Sequence, residues 1–151
     1  MKQILFILSV LFVFTSVSWA QEHFTTGPVW ACSAFRTKPG HFDDYMKYLR
    51  ANYLVTTAEQ KKQGLILDSK VFVKVPANQQ DYDVEICTLF PSYGKALDYD
   101  ADADAKNKAI TAAHLKTTDE AKQREITSAR FEYRDLMSTS YDREVMLRPL
   151  P

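Results

Sequence analysis

The sequence predicts an α+β domain in which one antiparallel sheet carries its helices on one side. Three observations predict it. Val29 to Arg36, VWACSAFR, alternates as a strand does, and TKPGHF then turns it directly into DDYMKYL, whose apolar residues return at helical spacing. The runs LILDSKVFVKV and YDVEICTLF are separated only by PANQQD, a hairpin-length turn that joins antiparallel neighbours. A second helical region and a short closing strand complete the order. With 151 residues, 46% hydrophobic and 25% charged, the chain suits one core better than two.

In chain order, Met1 to Ala20 has the charged start, apolar middle and Ser-Trp-Ala exit of a secretory signal peptide. Its apolar run is short for a membrane span and lacks a basic stop-transfer flank. Export to the periplasm or the exterior is therefore expected, with no membrane contact after removal. Residues 21–28 read as a polar lead-in to a domain over 29–151. Strand one places Val29, Ala31, Ser33 and Phe35 on one face and Trp30, Cys32 and Ala34 on the other. Both faces are apolar, so a central strand is expected.

Helix one is expected from His41 to Gln63, with Phe42, Met46, Leu49 and Tyr53 as its core stripe and Tyr45, Tyr48, Asn52 and Val55 beside it. Asp43 and Asp44 suit its start, Lys61 and Lys62 its end, and Gly64 its left-handed stop. Strand two, Leu65 to Val75, alternates apolar residues with Asp68, Lys70 and Lys74, the pattern of an edge strand. Strand three, Tyr82 to Phe90, sets Val84, Ile86, Thr88 and Phe90 against Asp83, Glu85, Cys87 and Leu89. Ser92 caps a short helix to Leu97. Asp98 to Lys108 is the least patterned stretch and leads to a helical run through His114 and Leu115. A Thr117–Glu120 capping box then opens a helix expected to reach Met137, with Ile126, Ala129, Tyr133 and Leu136 facing the core. Arg143 to Leu147 reads as the last strand.

Strand, helix, strand, strand, helical region, strand is the ferredoxin-like β-α-β-β-α-β order, with strands one and three adjacent at the centre. Helices cover one sheet face. The other has nothing in this chain to cover it, which calls for a second copy or a ligand.

AFRTKPGHFDDYMKYL, the KKQGLI joint and the strand ending in LFPSYGKAL resemble the dimeric α/β-barrel superfamily. Within it the chain is most similar to small secreted bacterial proteins of unassigned function, related in shape to antibiotic biosynthesis monooxygenases and the NIPSNAP group. The resemblance spans Val29 to Leu147. It implies a homodimer that pairs two sheets face to face around a cavity. Haem-degrading members use an Asn, Trp and His set; Trp30 and Asn52 are present, but no histidine matches, and the ligating histidine of haem-dependent members is also lacking. No cofactor is therefore expected.

The composition narrows the chemistry further. Loss of Lys2 with the leader takes Lys+Arg from 19 to 18 against 19 Asp+Glu, which leaves no basic field for nucleic acid. Asp98, Asp100, Asp102 and Asp104 fail as a calcium loop, because Ala105 and Thr111 stand where glycine and glutamate belong. His23, His41 and His114 have no zinc spacing, and Cys32 and Cys87 make no CxxC motif, so no metal is expected. Two buried free thiols are the simpler reading of the cysteines, although export makes a bridge feasible. Trp30, Cys32, Glu85, Cys87 and His114 are the candidate ligand-binding groups, with Glu85 and His114 as candidate acid–base groups. For Glu85 the simpler reading is that it reaches solvent or pairs with Lys70 or Lys74 across the hairpin. Arg124, Arg130 and Arg134 offer guanidinium groups to an anion, against a simpler role in surface ion pairs such as Glu120–Arg124. The sequence thus points to binding of a small apolar or aromatic molecule in the barrel. A cofactor-free monooxygenase-like enzyme and a purely structural dimer are the alternatives.

Overall fold

The computed structural model describes residues 23–150. The expected signal peptide, Met1 to Ala20, lies outside them, as do Gln21 and Glu22 of the lead-in. The described residues divide into two compact units, 26–144 and a small one of 23–25 with 145–150. In the small unit the Arg148 N–H donates to the His23 carbonyl at 2.8 Å.

Strand β1 runs Phe24–Thr37, so most of the stretch expected to be a loose lead-in is strand. Gly27 permits a close approach there, since a Cβ would lie 3.0 Å from that of Glu144. The Lys-Pro-Gly turn follows, with Gly40 at φ +83° and the His41 N–H donating to the Lys38 carbonyl. Helix α1 (Phe42–Tyr48), a π-helical turn (Leu49–Tyr53) and α2 (Leu54–Lys62) form one continuous rod, because the joining residues all keep right-handed helical dihedrals. Polar side chains hold carbonyls along it: Asn52 Nδ2 donates to Tyr48 O at 3.0 Å, Thr56 Oγ1 to Asn52 O at 2.9 Å and Thr57 Oγ1 to Tyr53 O at 2.7 Å. Gly64, at φ +71°, ends the rod. Its buried stripe is Tyr45 and Leu49, which pack on Val84 with Met46, Tyr48, Tyr53, Ile86 and Tyr133 around them. Phe42, expected in the core, is largely exposed, because Tyr45 fills that role and meets the Phe35 ring edge-on at 6.2 Å.

Strands β2 (Asp68–Val73) and β3 (Val84–Phe90) form the expected antiparallel hairpin. The sheet order is β2-β3-β1-β4, with β1 antiparallel to β3 and Cys32 directly opposite Cys87. Alternation sends Val84 and Ile86 toward the helices and Glu85, Cys87 and Leu89 to the other face. The cysteines, expected as free thiols, are joined, with S–S 2.01 Å and Cα atoms 4.1 Å apart. Strand register explains the difference: it brings together residues 55 apart in sequence, within bridging distance.

Ser92 caps α3 (Tyr93–Leu97) by accepting the Lys95 N–H at 3.3 Å. Helix α4 (Ala101–Leu115) starts inside the stretch that showed no pattern. There the Asp100 carboxylate accepts the N–H groups of Asp102 and Ala103 at 3.1 Å each, so the acidic run belongs to a capped helix start. Helix α5 (Glu120–Ser128) is capped by Asp119, which accepts from Ala121 and Lys122, rather than by the expected Thr117 box. Thr117 Oγ1 instead accepts the Asp119 N–H.

The largest departure comes next. After α6 (Arg130–Tyr133) the chain becomes strand β4 (Arg134–Leu147), where a helix to Met137 was expected. The Lys38 N–H donates to the Tyr133 carbonyl at 2.9 Å, so the end of β1 captures the backbone and pairing overrides local helical spacing. Leu136 is consequently exposed rather than in the core, and Ile126 on α5, also expected there, is exposed as well. Among the described residues no helix is long and apolar enough to cross a membrane.

Candidate functional site

The residues singled out in the sequence fall in two places. On the sheet face away from the helices, Trp30 Nε1 donates to Glu144 Oε1 at 2.7 Å, and the Lys70 ammonium lies 4.9 Å from the Trp30 ring centre. Cys32 and Cys87 are bonded behind them, and half-buried Glu85 stands between Ala34 and Phe72 in register. One ligand atom from each of Cys32, Glu85 and Cys87 falls within 4.8 Å of the others. Bonded to each other, the sulfurs have no thiolate to offer a metal. Of the two alternatives for Glu85, pairing with Lys70 or Lys74 does not form, since Lys74 pairs with Asp81 at 2.7 Å, and the side chain is partly open to solvent.

His114 lies elsewhere, on the helix side of the sheet, in a cavity of about 240 Å³ bounded by the α1–α2 rod, α4, the α5–α6 region and Ile86 of β3. Tyr45, Tyr48, Leu49, Ile86, Ile110 and Leu115 supply its apolar wall, and Asn52, His114, Arg130 and Arg134 its polar groups. The π turn carries Asn52 to this wall. Because Asn52 Nδ2 is committed to the Tyr48 carbonyl, its Oδ1 faces His114 Nε2 at 3.0 Å and accepts from it. In the neutral imidazole that bond selects the Nε2–H tautomer, with the lone pair on Nδ1.

The arginines are the unexpected part of the site. Neither Arg130 nor Arg134 makes an ion pair among the described residues, whereas Arg124 does pair with Glu120 at 3.6 Å. The Nε atoms of Arg130 and Arg134 and the hydroxyl of Tyr45 are buried without a hydrogen-bond partner. The guanidinium carbon of Arg134 is 3.4 Å from the Phe35 ring centre and 5.3 Å from that of Tyr45. Burial lowers the pKa of Arg134, and the nearby Arg130 charge lowers it further, while Tyr45 opposes the shift. It stays cationic at neutral pH all the same. Burial pushes the Tyr45 phenol well above its ordinary value, so it remains a protonated donor. Tyr53 is raised for the same reason.

A larger depression of about 760 Å³ lies between α2, α4 and the end of β3. Its polar groups are mostly engaged already: Lys95 with Asp100 at 2.7 Å, Gln60 with Asn107 at 2.8 Å, Asp104 with Lys108 at 3.0 Å. The smaller cavity is the one that keeps unused donors. Sequence reasoning found His114 and raised an anion-binding role for the arginines, but it missed Tyr45 as a polar group. The available signal for Arg130 was the absence of an acid four residues before it, where Ile126 stands.

Fold and site together define an α+β protein with an open antiparallel sheet and a small, cationic, tyrosine-lined cavity on its helix side. Comparison with protein-family models and with curated proteins finds no match to this chain.

Proposed function

We propose that this chain is an exported, ferredoxin-like protein that binds a small molecule with an apolar or aromatic body in the cavity between its helices and sheet, and that a second copy covers its other sheet face. The observation that carries the binding role is the cavity of about 240 Å³ lined by two arginines that pair with no carboxylate among the described residues. It differs from the barrel interior that the resemblance implies, since it lies on the helix side. The strand order β2-β3-β1-β4 with its intervening helices supports the ferredoxin-like reading. The cysteine bridge is compatible with an oxidising compartment. Exposed Phe72 on β2, opposite Glu85 on the face away from the helices, supports a covering copy.

Native mass spectrometry of protein purified from its own host tests this directly. The expected result is twice the chain mass with a small molecule retained. Thr111→Trp, which fills the cavity from α4, should release that molecule and leave the dimer. A bare monomer at micromolar concentration overturns the reading. An acid–base enzyme on the same ligand is the second reading, favoured by the bond from His114 Nε2–H to Asn52, which in the neutral imidazole puts the lone pair on Nδ1.

A further inference from the structure

We propose that the ligand of this cavity is a small organic carboxylate, its anionic group held by Arg130 and Arg134 and its apolar body against Tyr48 and Ile86. The inference rests on the cavity being a binding site and adds the ligand's chemical class. Three observations carry it. Two guanidinium groups line one small cavity with no carboxylate of the described chain in ion-pair range of either. A cation held partly out of water without a counter-charge is costly, and an anion brought in from outside removes that cost. Three polar atoms in this cluster, Arg130 Nε, Arg134 Nε and Tyr45 Oη, are buried and unbonded, and all three are N–H or O–H donors. The guanidinium groups that line the cavity need an acceptor, which an ammonium group or another cation does not supply.

The stacking of Arg134 adds a direction. With its face over Phe35, the guanidinium leaves its N–H groups in plane, where a carboxylate makes its strong paired hydrogen bonds. The remaining wall is aromatic and aliphatic, which favours a carboxylate with a hydrophobic body over an inorganic anion. His114 gives its Nε2–H to Asn52 and so is turned toward the rod rather than spent on the anion.

The test is an NMR titration of 15N-labelled protein expressed from the full reading frame, reading the arginine Nε–H signals. Benzoate is the probe, benzamide its neutral counterpart and inorganic phosphate the simple anion. Benzoate should move the Arg130 and Arg134 signals downfield and leave that of Arg124 in place. It should bind at least tenfold more tightly than benzamide or phosphate. Arg130→Gln and Arg134→Gln should each weaken benzoate at least tenfold. Should Arg134→Gln fail to fold, Arg134→Lys, which keeps the charge and loses the paired N–H groups, should weaken benzoate severalfold. Equal affinity for benzamide, with shifts in the cavity, overturns the carboxylate class while the binding role stands. Preference for phosphate overturns the apolar body. No response to benzoate at any cavity signal overturns the proposal outright.

Discussion

Tyr45 packs its ring in the core between α1 and the sheet, completely buried, and leaves its hydroxyl without a partner. Such a group costs the folded state the hydration it gave up, about 1–3 kcal/mol. Tyr45→Phe removes the oxygen and keeps the ring, so the ligand-free protein should gain on the order of 1 kcal/mol. Urea denaturation checks it: the midpoint rises with an unchanged slope. A fall in the midpoint would mean that the hydroxyl is bonded after all. The periodicity of helix one put Tyr45 beside the core stripe and read it as a rim tyrosine. Nothing in a helical pattern tells a satisfied hydroxyl from an orphaned one, because that depends on which strand and which arginine stand opposite. The same is true of Asn52 and His114, which are 62 residues apart and meet only through the packing of α4 on the rod.

Local chemistry settled the elements wherever a turn or cap lay within a few residues of its target. The Lys-Pro-Gly turn, the Ser92 cap, the Gly64 stop and the β2–β3 hairpin are all where the residues indicate. The hairpin is closed by Asp81, whose carboxylate accepts the N–H groups of Ala77 and Tyr82 and the Lys74 ammonium. The Ala77 N–H and then Lys74 hold the pKa of Asp81 below the ordinary carboxylate value. Its folded value thus lies below its unfolded one, so its contribution to stability is fully present above about pH 4. That contribution is lost as pH falls through the depressed folded value. Asp81→Asn should lower stability at neutral pH and flatten its decline below about pH 4, read as urea midpoints between roughly pH 6 and pH 2. Elements whose identity depends on a distant partner were not legible. Arg134 to Met137 was expected to continue a helix, yet it becomes strand because β1 offers an edge to pair with. The α4 start was hidden because alternating Asp and Ala resembles no amphipathic face until Asp100 is seen as a cap.

Across the whole molecule, the core is modest and the cross-link is large. Fully buried side chains are confined to a few positions, Val29, Tyr45 and Val84 among the largest, while both edge strands expose apolar residues. The bond between Cys32 and Cys87 closes a loop with a sequence separation of 55, for which the chain-entropy account gives about 4 kcal/mol of stabilisation. Reduction should therefore remove a large share of the stability of a domain this size, by about 2–5 kcal/mol. Thermal melts with and without a strong dithiol check it, and an unchanged transition would place the bond outside the cooperative unit. Because the bond joins two directly opposed residues on neighbouring strands, it also acts on alignment. A slip of one position would exchange the water side and the helix side of every residue on a strand. An oxidised chain that has lost its helices to denaturant still holds this pair of strands in step, so on refolding each side chain already knows which way is in.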